Sequence, residues 1–170
     1  MKYFNGFSLN GEEVFFKEQL IDSDYTIAGF SYGAQKAFEY AYNKNERVDK
    51  LILISPAFFQ NHKKSFIKTQ LRYFKADEIS YKKEFLNNIV YPSNIALDKY
   101  LNEGICEQLD DLLSYVWKEE KIKILIERGI SIEVFMGDAD KIVDSKKSFD
   151  FFSKLVPVYL FKEKGHLLTL

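Results

Sequence analysis

One short stretch limits what this chain can fold into more than any other. Gly29-Phe30-Ser31-Tyr32-Gly33 is a G-x-S-x-G pattern, set between an apolar run from Thr26 and the helix-spaced apolar residues Ala34, Ala37, Phe38 and Ala41. Strand, tight turn and helix are the context this pattern needs. A serine on so sharp a turn crowds its neighbours, which is why glycines flank it two positions away on either side. The turn lifts the Ser31 hydroxyl above the sheet edge and leaves the Tyr32 N–H at the start of the helix, where it serves as half of an oxyanion hole.

Composition narrows the remaining options. The chain has 170 residues, 46% of them hydrophobic and 16% aromatic, enough for one domain with a real core. Most of the 16 Phe and 11 Tyr are expected in that core, with a minority free to line an acyl pocket or a partner surface. A net charge of −1 argues against nucleic-acid binding as the main role. There is no basic-then-apolar leader and no apolar run near a membrane span, so a cytoplasmic protein without a membrane partner is expected. Cys106 is the single cysteine, which excludes an internal disulfide. With His62 and His166 the only histidines, no metal site and no cofactor is expected. Cys106 itself reads as a small buried residue rather than a nucleophile.

Taken in order, Met1 to Asn5 reads as a first strand ending at Gly6. Asn10 with Glu13 resembles a capping box for a helix to about Asp22, with Val14, Phe16 and Leu20 facing the core. After the Ser31 strand and helix, Leu51-Ile52-Leu53-Ile54 is a continuous apolar run of the kind that a strand buried on both faces shows. From Ala57 to about Arg128 only helical spacings occur, among them Phe66, Ile67, Leu71 and Phe74, then Leu109, Leu112, Leu113, Val116 and Trp117, then Ile122, Leu125 and Ile126. Beyond Gly129, residues 130–136 alternate, with Ile130, Ile132, Val134 and Met136 on one face. A helix from Asp144 or Ser145 and a last strand, 156–161, complete the chain. This rhythm predicts an α/β fold with about five mostly parallel strands, interrupted between the third and fourth by a helical insert, and ligands at the carboxyl ends of the strands.

The chemistry-bearing residues fall at those ends. Serine needs a positioned base. His166 follows the last strand by a few loop residues and lies at the same sheet edge as Ser31, whereas His62 sits beside Lys63 and Lys64 and reads as a surface residue. A carboxylate must hold the imidazole, and Asp138, Asp140 and Asp144 follow the fourth strand. Asp144 is explained as a helix cap and Asp138 as a turn cap, which leaves Asp140 as the choice. The order is then Ser, Asp, His. The loop after the first strand offers the second oxyanion donor: Gly6 allows a tight turn that aims the Phe7 N–H at the spot the Tyr32 N–H faces. A plain glycine turn is the alternative.

Together, Gly29-Phe30-Ser31-Tyr32-Gly33, Ser55-Pro56-Ala57, Gly137-x-x-Asp140-x-Ile142-Val143 and Gly165-His166 resemble the α/β-hydrolase superfamily across nearly the whole chain. More narrowly, the small size, the opening Tyr3-Phe4-Asn5-Gly6-Phe7, Gly29 through Ala37 and Ile132 through Gly137 look like the short BioV-type pimeloyl-acyl-carrier-protein methyl ester esterases of biotin synthesis. The resemblance implies a single minimal α/β-hydrolase domain, 1–170, with a helical cap at 57–117. It also implies a fold trimmed hard, with about twenty residues between the oxyanion loop and the nucleophile strand and only four after His166. The helices so lost normally cover one sheet face, so a bare face shielded by a possible homodimer is expected. Asn5 stands where many relatives carry His.

The resemblance further implies a substrate: a seven-carbon dicarboxyl chain, methylated at its far end and carried by an acyl carrier protein. Such carriers are acidic. Residues 57–105 hold 8 basic and 5 acidic residues, and Lys64, Lys68 and Arg72 fall at i, i+4 and i+8. That stripe is either a carrier-docking surface or a solvated helix face. Two other readings of the chain remain open here. One is a generic carboxylesterase or acyl thioesterase using the same residues. The other is a non-catalytic relative that binds an acyl ligand or serves as a scaffold.

Overall fold

The computed structural model describes residues 1–170. Five strands form one sheet: β1 (Lys2–Phe4), β2 (Thr26–Phe30), β3 (Lys50–Ile54), β4 (Ser131–Gly137) and β5 (Val158–Phe161). All pair in parallel, and their spatial order follows the chain. Six α-helices join them: α1 (Tyr32–Asn43), α2 (Lys64–Ala76), α3 (Glu78–Val90), α4 (Cys106–Ser114), α5 (Glu119–Glu127) and α6 (Ser145–Phe152). This is the minimal α/β-hydrolase architecture, with α2, α3 and α4 inserted between β3 and β4. No helix is long and apolar enough to cross a membrane.

The register explains why the reactive loops converge. Phe30 pairs with Ile54 and Ile54 with Phe135, so β2, β3 and β4 come abreast at one edge and Ser31 and Ser55 leave the sheet there together. Both faces of the central strands are covered, which is why β2 and β3 read as unbroken apolar runs. On one face Ala34, Ala37 and Phe38 of α1 meet Leu51, Leu53 and Val134, joined by Ile122 and Leu125 of α5 and Phe152 of α6. Trp117 sits fully buried in this layer and donates its indole N–H to the Ala57 carbonyl at 2.9 Å. The alternation in β4 holds: Ile132, Val134 and Met136 join that layer, while Glu133 pairs with Lys50 at 2.9 Å on the other side.

Two expectations are corrected here. The stretch after Asn10 is not a helix to Asp22. A single 3-10 turn, Glu12–Phe16, follows Gly11, whose φ of 78° begins it, and Asn10 caps nothing. Chain closes immediately behind it, with the Leu20 amide bonded to the Phe16 carbonyl. Phe16 is buried as expected, but Val14 faces solvent.

The second correction concerns the sheet face expected to be bare. Ala28, Phe30, Ile52 and Ile54 on that face lie under Leu9, Phe16, Ile89, Leu97, Leu167 and Leu168. Ile89 belongs to α3, so the insert folds back over the sheet as well as over its edge. The chain covers this face itself. Each fully buried side chain of this kind contributes about 1.5–3 kcal/mol over leaving it in water, so the covering elements are integral to the fold.

Candidate active site

The turn between β2 and α1 is strained and tightly held. Ser31 adopts φ 54° and ψ −113°, a conformation that costs a non-glycine residue about 1–3 kcal/mol. Three backbone hydrogen bonds stabilise it: the Ser31 amide donates to the Ile54 carbonyl at 2.9 Å, and the Ser31 carbonyl accepts from Ala34 at 3.1 Å and Ala57 at 3.2 Å. The flanking glycines serve close approach. A Cβ at Gly29 would overlap the Gly33 backbone, and one at Gly33 would fall on the Phe4 carbonyl, so α1 starts directly against the end of β1.

Across the sheet edge, the His166 and Asp140 side chains are both completely buried, and His166 Nδ1 lies 2.6 Å from Asp140 Oδ2. The other oxygen, Asp140 Oδ1, accepts from the backbone N–H groups of Ile142 at 2.7 Å and Val143 at 3.1 Å. These two bonds fix the carboxylate plane. An ionised carboxylate can only accept, so the arrangement assigns the proton to Nδ1 and leaves the Nε2 lone pair free. Nε2 has no hydrogen-bond partner, and neither does Ser31 Oγ. The Phe30 ring packs on the imidazole with centroids 5.0 Å apart.

The three aspartates have different partners. Asp138 accepts from the Glu163 amide at 2.7 Å, holding the loop before His166, and Asp144 caps α6 through the Lys147 amide at 3.0 Å. His62 is exposed and stacks on Phe66 at 4.1 Å, away from these residues. Cys106 is half-buried.

Neither the Phe7 amide nor the Tyr32 amide donates among the turn and loop hydrogen bonds of the chain. The Tyr32 amide opens α1 and so has no intrahelical acceptor, and the Phe7 amide, in the turn after β1, donates to no other group. Gly6 opens a turn that the Leu9 amide closes on its carbonyl at 3.2 Å. Gly11 is the left-handed glycine of this loop, and a Cβ at Gly6 would press on the Phe30 ring at 2.8 Å. The Asn5 side chain braces the loop by donating to Asn10 Oδ1 at 3.1 Å and accepting from the Gly11 amide at 3.2 Å.

Two residues escaped the sequence reading. The Ser55 hydroxyl donates to the His166 carbonyl at 2.6 Å. Glu12, fully buried, accepts the Gly6 amide at 2.7 Å and the Tyr3 hydroxyl at 3.3 Å. Burial, the larger influence, pushes its carboxyl up to about 7 against the lowering effect of the Gly6 amide. A glutamate next to Glu13 in an amphipathic stretch gives no sign of being the inward one, because ionised carboxylates are seldom buried.

The insert closes over this edge. Phe7, Tyr32 and Val143 share one buried cluster with Phe59 and Phe74 and with Leu109, Leu112 and Leu113 of α4. Ser31 is 1% exposed as a result. Within the same cluster lies a cavity of about 260 Å³ lined by Phe59, Phe66, Tyr81, Phe85, Leu109 and Ile142, with Lys141 and Glu84 among its polar residues. A larger groove of about 630 Å³ opens between α2 and α4, with Ile67, Leu71 and Val116 in its wall and His62, Lys64 and Lys68 beside them. Arg72 does not line it; its guanidinium lies over the Tyr73 ring.

By sequence the chain matches no family model and none of the curated proteins. By structure it is similar to the bromoperoxidase of Bacillus anthracis, with a TM-score of 0.66 at 16% identity over 84% of this chain and 60% of that one. It is similar to carboxylesterase CesB (YbfK) of Bacillus subtilis, with a TM-score of 0.58 at 18% identity over 92% of this chain and 57% of that one. The chain therefore spans little more than half the length of these relatives. It is also similar to BioG of Haemophilus influenzae, with a TM-score of 0.62 at 11% identity, and there the match covers 97% of this chain and 87% of the other. Likeness at these identities establishes the α/β-hydrolase fold. The BioG match extends it to a chain of nearly the same size.

Proposed function

We propose that the chain is a serine ester hydrolase working through an acyl-enzyme. The observation that carries this reading is the pairing of the His166 and Asp140 side chains, both buried at the sheet edge to which the strained turn delivers Ser31. Ser31 Oγ attacks the ester carbonyl carbon while His166 Nε2 takes the hydroxyl proton. The tetrahedral oxyanion is held by the Tyr32 and Phe7 N–H groups. Its collapse breaks the bond to the alkoxy oxygen, which leaves as an alcohol with the proton from Nε2. Water then attacks the acyl-enzyme, giving its proton to Nε2, and the second collapse returns that proton to Ser31 as the acid departs. Asp140 keeps the imidazole in the tautomer that can accept, and stabilises its cation.

For the substrate, the sequence resemblance favours the methyl ester of a pimeloyl chain on an acyl carrier protein. The mostly apolar lining of the cavity of about 260 Å³ suits an aliphatic chain, and the groove, where Lys64 and Lys68 outnumber Asp110, suits an acidic carrier. Because Ser31 is closed over by the insert, entry of the ester requires the insert to move. A generic carboxylesterase is the second reading, supported by the likeness to CesB.

The test is hydrolysis of pimeloyl-carrier methyl ester beside a short generic ester, with Ser31→Ala as control. Strong preference for the carrier-linked ester and a dead variant are the expected result. Cleavage of the generic ester alone would keep Ser31, His166 and Asp140 in their roles and overturn the carrier substrate. Turnover retained by Ser31→Ala, or none by the wild type, would overturn the hydrolase reading.

A further inference from the structure

The loop that carries the Phe7 amide is governed by a group that takes no part in bond making. Residues 5–11 are braced at their outer side, where the Asn5 side chain binds Asn10 and Gly11 and the Asn10 amide donates to the Tyr100 carbonyl at 2.8 Å. The Asn102 amide donates to the Ser8 carbonyl at 2.9 Å, completing a clasp from the insert. At the inner side the brace is Glu12. One oxygen, Oε1, receives both the Gly6 N–H at 2.7 Å and the Tyr3 hydroxyl at 3.3 Å, linking β1 to the loop that follows it. Oε2 is buried without a partner. A fully buried carboxylate is costly, and a neutral residue of the same size would satisfy packing alone.

We propose that Glu12 is a positioning residue for the oxyanion loop: by accepting the Gly6 amide hydrogen it fixes the Asn5–Gly6 peptide plane, the Leu9 amide holds the next plane by donating to the Gly6 carbonyl at 3.2 Å, and together they aim the Phe7 N–H toward the Ser31 turn. The inference rests on the serine-hydrolase reading above. A single accepted hydrogen bond at Gly6 matters because Phe7 follows it directly, and any rotation at Gly6 swings the Phe7 N–H away from the oxyanion. A glycine at that position offers little resistance of its own. Misplacement of a donor by about 1 Å costs roughly 100-fold in rate. Because the donor binds the oxyanion of the tetrahedral state more than the ground-state carbonyl, the loss is expected in kcat and not in KM.

The experiment compares wild type, Glu12→Ala, Glu12→Asp and Glu12→Gln with a short p-nitrophenyl ester, and measures the affinity of each for a trifluoromethyl ketone, which forms the same oxyanion on Ser31. Glu12→Ala is expected to lower kcat about 10- to 100-fold with KM within twofold, and to weaken the ketone by the same factor. Glu12→Gln keeps an acceptor for Gly6 and is expected to stay within about fivefold of wild type. Glu12→Asp withdraws the carboxylate by one methylene, serves in place of Glu12→Ala should that variant fail to fold, and is expected to follow Glu12→Ala. Folded Ala or Asp variants with wild-type kcat and ketone affinity would overturn the positioning role, as would a rise in KM alone. A wild type that turns over no ester and binds no ketone would overturn the hydrolase reading and this inference with it, a result distinct from an active wild type indifferent to Glu12.

Discussion

The Ser55 hydroxyl donates to the His166 carbonyl at 2.6 Å, tying the end of β3 to the loop that carries the imidazole. Ser55 itself has a φ of 40° and donates its amide to Phe135 at 2.7 Å, so a single residue fixes β3, β4 and the His166 loop in one another's frame. Ser55→Ala leaves a buried carbonyl without its donor, which costs about 1–3 kcal/mol and lowers the melting temperature by roughly 2–10 °C. The imidazole then loses its anchor on the main-chain side, and kcat is expected to fall about tenfold with KM unchanged. Thermal unfolding together with ester kinetics checks both; a variant as active as wild type would separate His166 placement from this bond.

Asp140→Asn tests the tautomer argument. Oδ1 would still accept from Ile142 and Val143, so the amide nitrogen would face His166 Nδ1 as a donor. The imidazole would answer by accepting at Nδ1 and carrying its proton on Nε2, where it cannot take the Ser31 proton. A loss of about 1,000-fold or more in kcat is expected, with the fold intact. Steady-state kinetics with far-ultraviolet circular dichroism decides it: a folded variant within tenfold of wild type would remove Asp140 from the mechanism.

Much of this arrangement was legible beforehand, for identifiable reasons. Ser31, Asp140 and His166 follow strand ends, and in a parallel sheet all strand ends following crossovers share one edge, so chain order alone places them at that edge. The buried runs of β2 and β3 announce themselves by composition. Glu12 and the covering of the second sheet face were hidden for the opposite reason: they depend on which side of a short turn faces in. Gly11 rotates the chain so that Glu12 and Phe16 point inward and Val14 outward, a choice no periodicity encodes over five residues. In α3, Phe85 touches the cluster over Ser31 as well as the one on the sheet, so the helix reads as cap and as core at once.

Stability should depend on pH through Glu12. Its carboxyl is raised from 4.5 to about 7, chiefly by burial, with the nearby Glu13 adding to the rise and the Gly6 amide and Tyr3 hydroxyl opposing it. Because the folded chain holds this proton more tightly than the unfolded one, the contribution is fully present below about pH 4.5 and lost as pH rises through about 7. The difference amounts to about 3 kcal/mol. Glu12→Gln cannot ionise, so in urea unfolding its stability relative to wild type is expected to improve by about that amount between pH 4.5 and pH 8. Parallel pH profiles for the two proteins would show that the carboxyl ionises freely in the fold.

The carrier-docking proposal distinguishes among the three cations of the α2 stripe. Lys64 and Lys68 line the groove between α2 and α4, and Arg72 does not. Lys64→Glu with Lys68→Glu is expected to raise KM for a carrier-linked ester more than tenfold at low salt, leaving a small ester unchanged, while Arg72→Glu alone stays within about twofold. Equal losses on both esters would mean that the two lysines support the fold of the insert rather than a partner.

A cap that only gates access can be loosened without harming the domain beneath it, whereas here α3 carries Ile89 into the layer on Ala28, Phe30, Ile52 and Ile54. Ile89→Ala removes a fully buried side chain from a layer built of few pieces, and the rigid sheet below cannot collapse to fill the space. A loss of about 2–5 kcal/mol is expected, expressed as cooperative unfolding of the whole chain rather than release of the insert. Phe66→Ala, placed in the lining of the cavity near α4, is expected to change ester specificity at much smaller cost because its side chain is only partly buried. Denaturant unfolding followed at once by Trp117 fluorescence and by circular dichroism distinguishes the cases: coincident transitions for Ile89→Ala mean that the insert and the sheet are one cooperative unit, and an early separate transition would mean that the insert is a detachable lid.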